Sequence, residues 1–206
     1  MRRSCAVLSL VSPEKVLRVS DIFFAGAGKG VWPVGPWPAL RYLSAAEVSL
    51  KPRAAELPAV EKLLLMVAGK REWAEIAKLP KVWALQAGPM DERALATLAA
   101  LPLEILVFRR GNIADLEGLK KFPKLTEWGA ILCPEVRDPS TLAALPQLTD
   151  LMLHDCPHLG HVDAILELPN LRNVMISGCK DPTGKLRRIV HALTKRGVGV
   201  VSDLQA

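Results

Sequence analysis

LPQLTDLMLHDC, residues 145–156, and LPNLRNVMISGC, residues 168–179, decide how this chain is read. Both follow L-P-x-L-x-x-L-x-L-x-x-C, with Val or Ile replacing Leu in the second. FPKLTEWGAILC, residues 122–133, is a third copy with Phe, Trp, Ala and Ile as stand-ins. Alternating apolar residues in L-x-x-L-x-L point to one side of an extended chain. Leu148, Leu151 and Leu153 therefore face inward, as do Leu171, Val174 and Ile176. One such unit cannot bury its apolar side alone, so neighbouring units must stack.

The pattern continues towards the N-terminus. LPLEILVFRRG begins at Leu101 and is one residue short. LPKVWALQAG begins at Leu79, LPAVEKLLLMVAG at Leu57 and WPALRYLSAAEV at Trp37. VLRVSDIFFAG begins at Val16 and lacks the proline. The eight starts are 20 to 23 residues apart, and a last unit ends in RGVGVVSD, residues 196–203. Between the strand segments apolar residues recur every third position: Trp73, Ile76, Leu79; Leu95, Leu98, Leu101; Ile113, Leu116, Leu119, Phe122; Val162, Ile165, Leu168. This spacing suits short α- or 3₁₀-helices with one buried stripe, Asp91 being placed to cap one of them. The proline at the second repeat position ends each helix before the next strand.

A fixed period with these residues resembles the leucine-rich repeat family, in its Cys/Asn-ladder type, as a small bacterial-like or ribonuclease-inhibitor-like solenoid. The resemblance covers nearly the whole chain. It implies an α/β solenoid with a parallel sheet on the concave side and short α/3₁₀ helices on the convex side. The expected organisation is one solenoid over residues 1–206 with eight to nine repeats. An N-terminal strand over 5–11 precedes them, and a cap over 181–206 follows.

HDCPHLGH, residues 154–161, invites a metal or cysteine-enzyme reading through His154, Cys156, His158 and His161. The repeat argues otherwise. Cys133, Cys156 and Cys179 share the twelfth position of their units, where the family commonly carries Asn or Cys pointing inward at a turn. They are read as a structural ladder of small buried side chains. His154 falls on the concave face, and His158 and His161 on the next turn. Zinc needs four ligands converging at about 2.0–2.3 Å, which diverging side chains do not supply. Only a strand running straight through Cys156 would put it on the same face as His154.

Other chemistry finds little support. GAGKG, residues 26–30, lacks the spacing and the hydroxyl of a phosphate loop and is read as a flexible turn. No G-x-S-x-G elbow occurs. Neither a metal nor a cofactor is expected. The net charge is +6. Residues 180–196 contain six Lys or Arg against Asp181 alone. This basic helix is read as an end cap; nucleic-acid binding through Lys185, Arg187, Arg188, Lys195 and Arg196 is the second alternative. No apolar run is long enough to span a membrane. CAVLSLV reads as a strand rather than a signal peptide core, so a cytoplasmic address is expected.

The repeat register also names the side chains free to touch a partner. Tyr42, Glu127 and Asp150 take the sixth position. Phe23, Leu64, Val107, Met152 and Met175 take the eighth. Met66, Arg109, Ile131 and His154 take the tenth. Their apolar members are expected to form an exposed patch ringed by charge, which marks an interaction site. The resemblance implies a recognition scaffold rather than an enzyme. The expected partner is another protein, an enzyme or toxin that the chain occludes as an inhibitor or immunity-type protein.

Overall fold

A computed structural model describes residues 21–23, 28–29, 36–50, 53–67 and 69–204. The expected strand over 5–11, the first repeat start and Cys5 lie outside the described residues, as does most of GAGKG. Every strand pairing is parallel. The strands are β1 (Asp21–Phe23), β2 (Gly28–Lys29), β3 (Tyr42–Leu50), β4 (Lys62–Val67), β5 (Ala84–Gly88), β6 (Ile105–Arg109), β7 (Glu127–Ile131), β8 (Asp150–His154), β9 (Asn173–Ser177) and β10 (Gly199–Ser202). Apart from β2, which pairs with the far half of β3, they lie in chain order. Gly28 and Lys29 are thus a strand rather than part of a turn.

The return legs are α1 (Lys70–Ile76), α2 (Glu92–Thr97) and α3 (Lys185–Lys195), with 3₁₀ segments at Ala54–Glu56, Leu98–Ala100, Glu117–Lys121, Ser140–Ala144 and Val162–Glu167. Short legs are what a period near 22 residues allows, because each turn of the coil needs a strand and two bends as well. The Asp91 carboxylate caps α2, accepting the Ala94 N–H at 2.7 Å. The strand layer repeats at about 4.8 Å. Helices need more room than that, so the coil bends with its strands inside.

One core runs between sheet and helices, and the two apolar rows read from the sequence meet there. Leu148, Leu153, Ile176, Ile76, Leu116, Leu119 and Ile165 are at most 1% exposed. Phe108 and Trp128 meet edge to face, centroids 5.6 Å apart. Fully burying a Leu contributes about 1.5–3 kcal/mol. The repetition of such residues, not any single contact, holds the coil together.

Two local features were not expected. β3 runs for nine residues and changes register against β4 between Ala45 and Ser49. And the eleventh repeat position is left-handed: Arg110, Leu132, Asp155 and Gly178 have φ of 50°, 56°, 52° and 65°. The amides of Arg110, Leu132 and Asp155 donate to Ile131, His154 and Ser177 oxygens at 2.9 Å. The Gly178 amide donates to an Asp203 carboxylate oxygen at 2.8 Å, so that side chain takes the place of the next carbonyl. This left-handed residue swings the twelfth side chain into the core.

A candidate protein-binding face

The three cysteines lie where that swing sends them. Cys133 and Cys156 are 0% exposed and Cys179 is 6% exposed. Each thiol sits over the carbonyl two residues before it and over one in the preceding strand. For Cys133 these are Ile131 at 3.3 Å and Phe108 at 3.9 Å. For Cys156 they are His154 at 3.6 Å and Ala130 at 3.5 Å. For Cys179 they are Ser177 at 3.5 Å and Leu153 at 3.6 Å. The Gly111 N–H also donates to the Cys133 sulfur at 3.2 Å. Burial pushes the Cys133 thiol up, and the Cys156 thiol is pushed up by its contact with Cys179 and by burial. Neither favours the thiolate that a nucleophile or metal ligand needs.

His154 and Cys156 do not share a face, because the left-handed Asp155 between them breaks the strand alternation. His154 points to the open side of the sheet, its Nε2 3.2 Å from the Asp155 carboxylate. His158 and His161 are exposed on the following turn. The structure does not bring the four residues together. Among the described residues no group of three His, Cys, Asp or Glu is placed to hold a metal.

On the open side of the sheet the sixth, eighth and tenth positions line up as rows across the strands. The sixth row runs Asp21, Tyr42, Lys62, Ala84, Ile105, Glu127, Asp150, Asn173 and Gly199. In the tenth row Arg109, Ile131, His154 and Ser177 are consecutive partners. Phe23 and Met66 keep their strand positions, but their side chains lie outside the described part. Tyr42, Leu64, Arg109, Ile131, Met152 and Met175 are half-buried.

Val107 is a correction: at 3% exposed it is not available to a partner. Its neighbour in the row is Gly129, and Met152 lies beyond. A Cβ on Gly129 would come within 3.3 Å of Val107 Cγ1 and 3.1 Å of Met152 Cβ, so both neighbours lean over the missing side chain. The apolar patch as a whole is also less exposed than expected. Strands only about 4.8 Å apart make each side chain shield the next. The large hydrophobics that are well exposed among the described residues are Leu132, at 38%, and Val201, at 62%. Val201 continues the eighth row one unit beyond Met175. Carrying the register through RGVGVVSD finds it; Leu132 has no sequence signal, since it depends on the left-handed turn.

The charges on this face are arranged unevenly. Glu127 and Asp150 are direct partners across β7 and β8. Burial, and then the Asp150 charge, hold the Glu127 carboxyl above its ordinary range. Asp150 accepts from Asn173 Nδ2 at 2.7 Å and from Thr149 Oγ1 at 2.5 Å. At the other end Lys62 lies over the Trp83 ring at 4.6 Å. A cleft of about 430 Å³ lies elsewhere, on the helical side, lined by Trp73, Pro89, Met90, Lys70 and Arg93 among others.

A parallel sheet in chain order, backed by short helices and left unclosed, defines this as a leucine-rich repeat solenoid. Solved structures share this fold. Internalin C2 from Listeria monocytogenes is 20% identical with a TM-score of 0.54, over 81% of this chain and 72% of that one. A leucine-rich repeat protein from Leptospira interrogans is 19% identical with a TM-score of 0.55, over 80% of this chain and 43% of that one. No protein-family model matches the chain, and no curated protein does. Among the described residues no helix is long and apolar enough to cross a membrane.

Proposed function

We propose that the protein is a non-catalytic scaffold that binds another protein on the open face of its sheet, and that it acts as an inhibitor or immunity-type protein by covering an enzyme or toxin. The observation that carries this reading is the continuity of that face. Leu64, Ile105, Ile131, Met152 and Met175 form an adaptable, half-buried apolar surface, with Glu127, Asp150, Arg109 and His154 beside them. Among the described residues no helix packs over it. Such a surface suits a partner that brings its own apolar anchors, the charges supplying selectivity. We read residues 1–206 as one solenoid with its cap at 181–206. The compartment proposed is the cytoplasm, where thiols such as those of Cys133, Cys156 and Cys179 stay reduced.

The test is affinity capture from the native host with the wild-type chain and with a Met152→Glu, Met175→Glu variant. A stoichiometric partner held by the first and lost by the second is the expected result, with the variant's melting temperature checked alongside. An unchanged partner in the variant sinks the proposal.

A further inference from the structure

The C-terminal end of the coil offers a second surface, the backbone edge of the last strand, which adjoins the open face at Val201. Among the described residues β10 is paired on one side only, with β9. The Gly199 N–H donates to the Arg172 oxygen at 2.8 Å, so Gly199 and, by alternation, Val201 direct their backbone groups at β9. Val200 and Ser202 direct theirs at the free edge. Val201, the most exposed large hydrophobic among the described residues, sits between them at 62%. An edge like this is a template for another strand.

The charge around it points to the partner. Residues 180–204 contain two carboxylates, and both are engaged with backbone. Asp181 accepts the Leu186 and Arg187 amides at 3.1 and 3.0 Å. Asp203 accepts the Gly178 amide. Of the cations, Arg196 is committed to the oxygens of Leu166 and Leu168, at 2.6 and 3.2 Å. Lys185, Arg187, Arg188 and Lys195 are exposed and have no carboxylate partner among the described residues. Arg196 reaches back to the preceding repeat, so its flank of α3 faces that way. Arg187 is nine residues earlier, about half a turn around the helix, and faces the free end.

We propose that an extended acidic segment of a partner protein adds as a further strand beside β10, its carboxylates meeting Arg187 and the neighbouring cations of α3. A second copy of this chain is disfavoured, since joining two such ends would oppose two basic helices. Nucleic acid satisfies the cations but neither pairs with the edge nor covers Val201. Residues 180–204 also contain no Phe, Tyr or Trp on which bases could stack.

The experiment uses the full chain and a fluorescent octapeptide of alternating valine and glutamate, read by anisotropy and by amide hydrogen exchange. The amides of Val200 and Ser202 exchange freely in the unbound protein and become protected with peptide, whereas those of Gly199 and Val201 are protected throughout. Methylating alternate peptide nitrogens abolishes binding. The pair Arg187→Glu and Arg188→Glu weakens it by about tenfold, as does raising the salt. The Leu64→Glu, Met152→Glu variant, changed only on strands that do not touch β10, binds the peptide normally, which separates this site from the open face. The proposal is overturned by protection of Val200 and Ser202 in the free chain, or by protection that grows with protein concentration alone. Equal binding of the methylated peptide, or tighter binding of a random 20-base-pair duplex than of the peptide, overturns it too.

Discussion

Serine is expected to replace Cys133 with much less damage than alanine, although neither residue resembles a buried thiol in polarity and size together. The Cys133 sulfur accepts the Gly111 N–H at 3.2 Å and lies 3.3 Å from the Ile131 oxygen, wholly out of solvent. Alanine removes the sulfur, costing about 1–1.5 kcal/mol for the lost burial and residual space. It also leaves the buried Gly111 N–H without an acceptor, worth about 1–3 kcal/mol more. The total is about 2–4 kcal/mol. Serine keeps an oxygen for Gly111 and a proton for Ile131, so its loss stays near 1 kcal/mol, the smaller atom being the main defect. In a chain of this length each kcal/mol moves the midpoint by about 2–4 °C. The two variants should therefore melt about 2–12 °C apart, with serine the higher. Thermal unfolding followed by circular dichroism in reducing buffer measures this. Equal midpoints, or alanine above serine, would mean that the sulfur is not holding the turn, and the account of the cysteine ladder would fail with it.

Two glycines offer a graded comparison. A Cβ on Gly88 would overlap the Arg109 carbonyl, so Gly88→Ala must push β5 and β6 apart and should cost about 2–4 kcal/mol. Gly184 has open space around it but a φ of 68°, so Gly184→Ala should cost only about 1 kcal/mol, and urea melts of both variants check the order. Glu127 supplies a pH signature. Because its carboxyl is raised in the folded state, stability it contributes in acid is lost as pH rises through that raised value. Glu127→Gln should therefore be more stable than wild type at neutral pH and match it in acid, and a variant less stable at pH 7.5 would contradict the burial assigned to this group.

The sheet-and-helix architecture was legible because the same physical problem is solved in every unit. A residue such as Leu151 has to be inward in each repeat, so eight imperfect copies of one pattern reinforce each other. The Asp91 cap was legible too, being a local matter of four residues. The register change inside β3 was not, since the WPALRYLSAAEV unit continues into EVSL with nothing to mark where pairing with β4 slips. On the candidate face, membership of a row could be read and accessibility could not. Val107 is covered because Gly129 stands next to it in space, twenty-two positions along the chain.

The sequence by itself determined the period, the alternation of sides and the place of Cys133, Cys156 and Cys179 in each unit, because these depend on spacing along one chain. Only the tertiary structure decided which outward side chains stay reachable, which carboxylates are already engaged and which strand edge is open. Those properties belong to pairs of residues on neighbouring turns of the coil, and their packing and charge exist only once the turns have stacked.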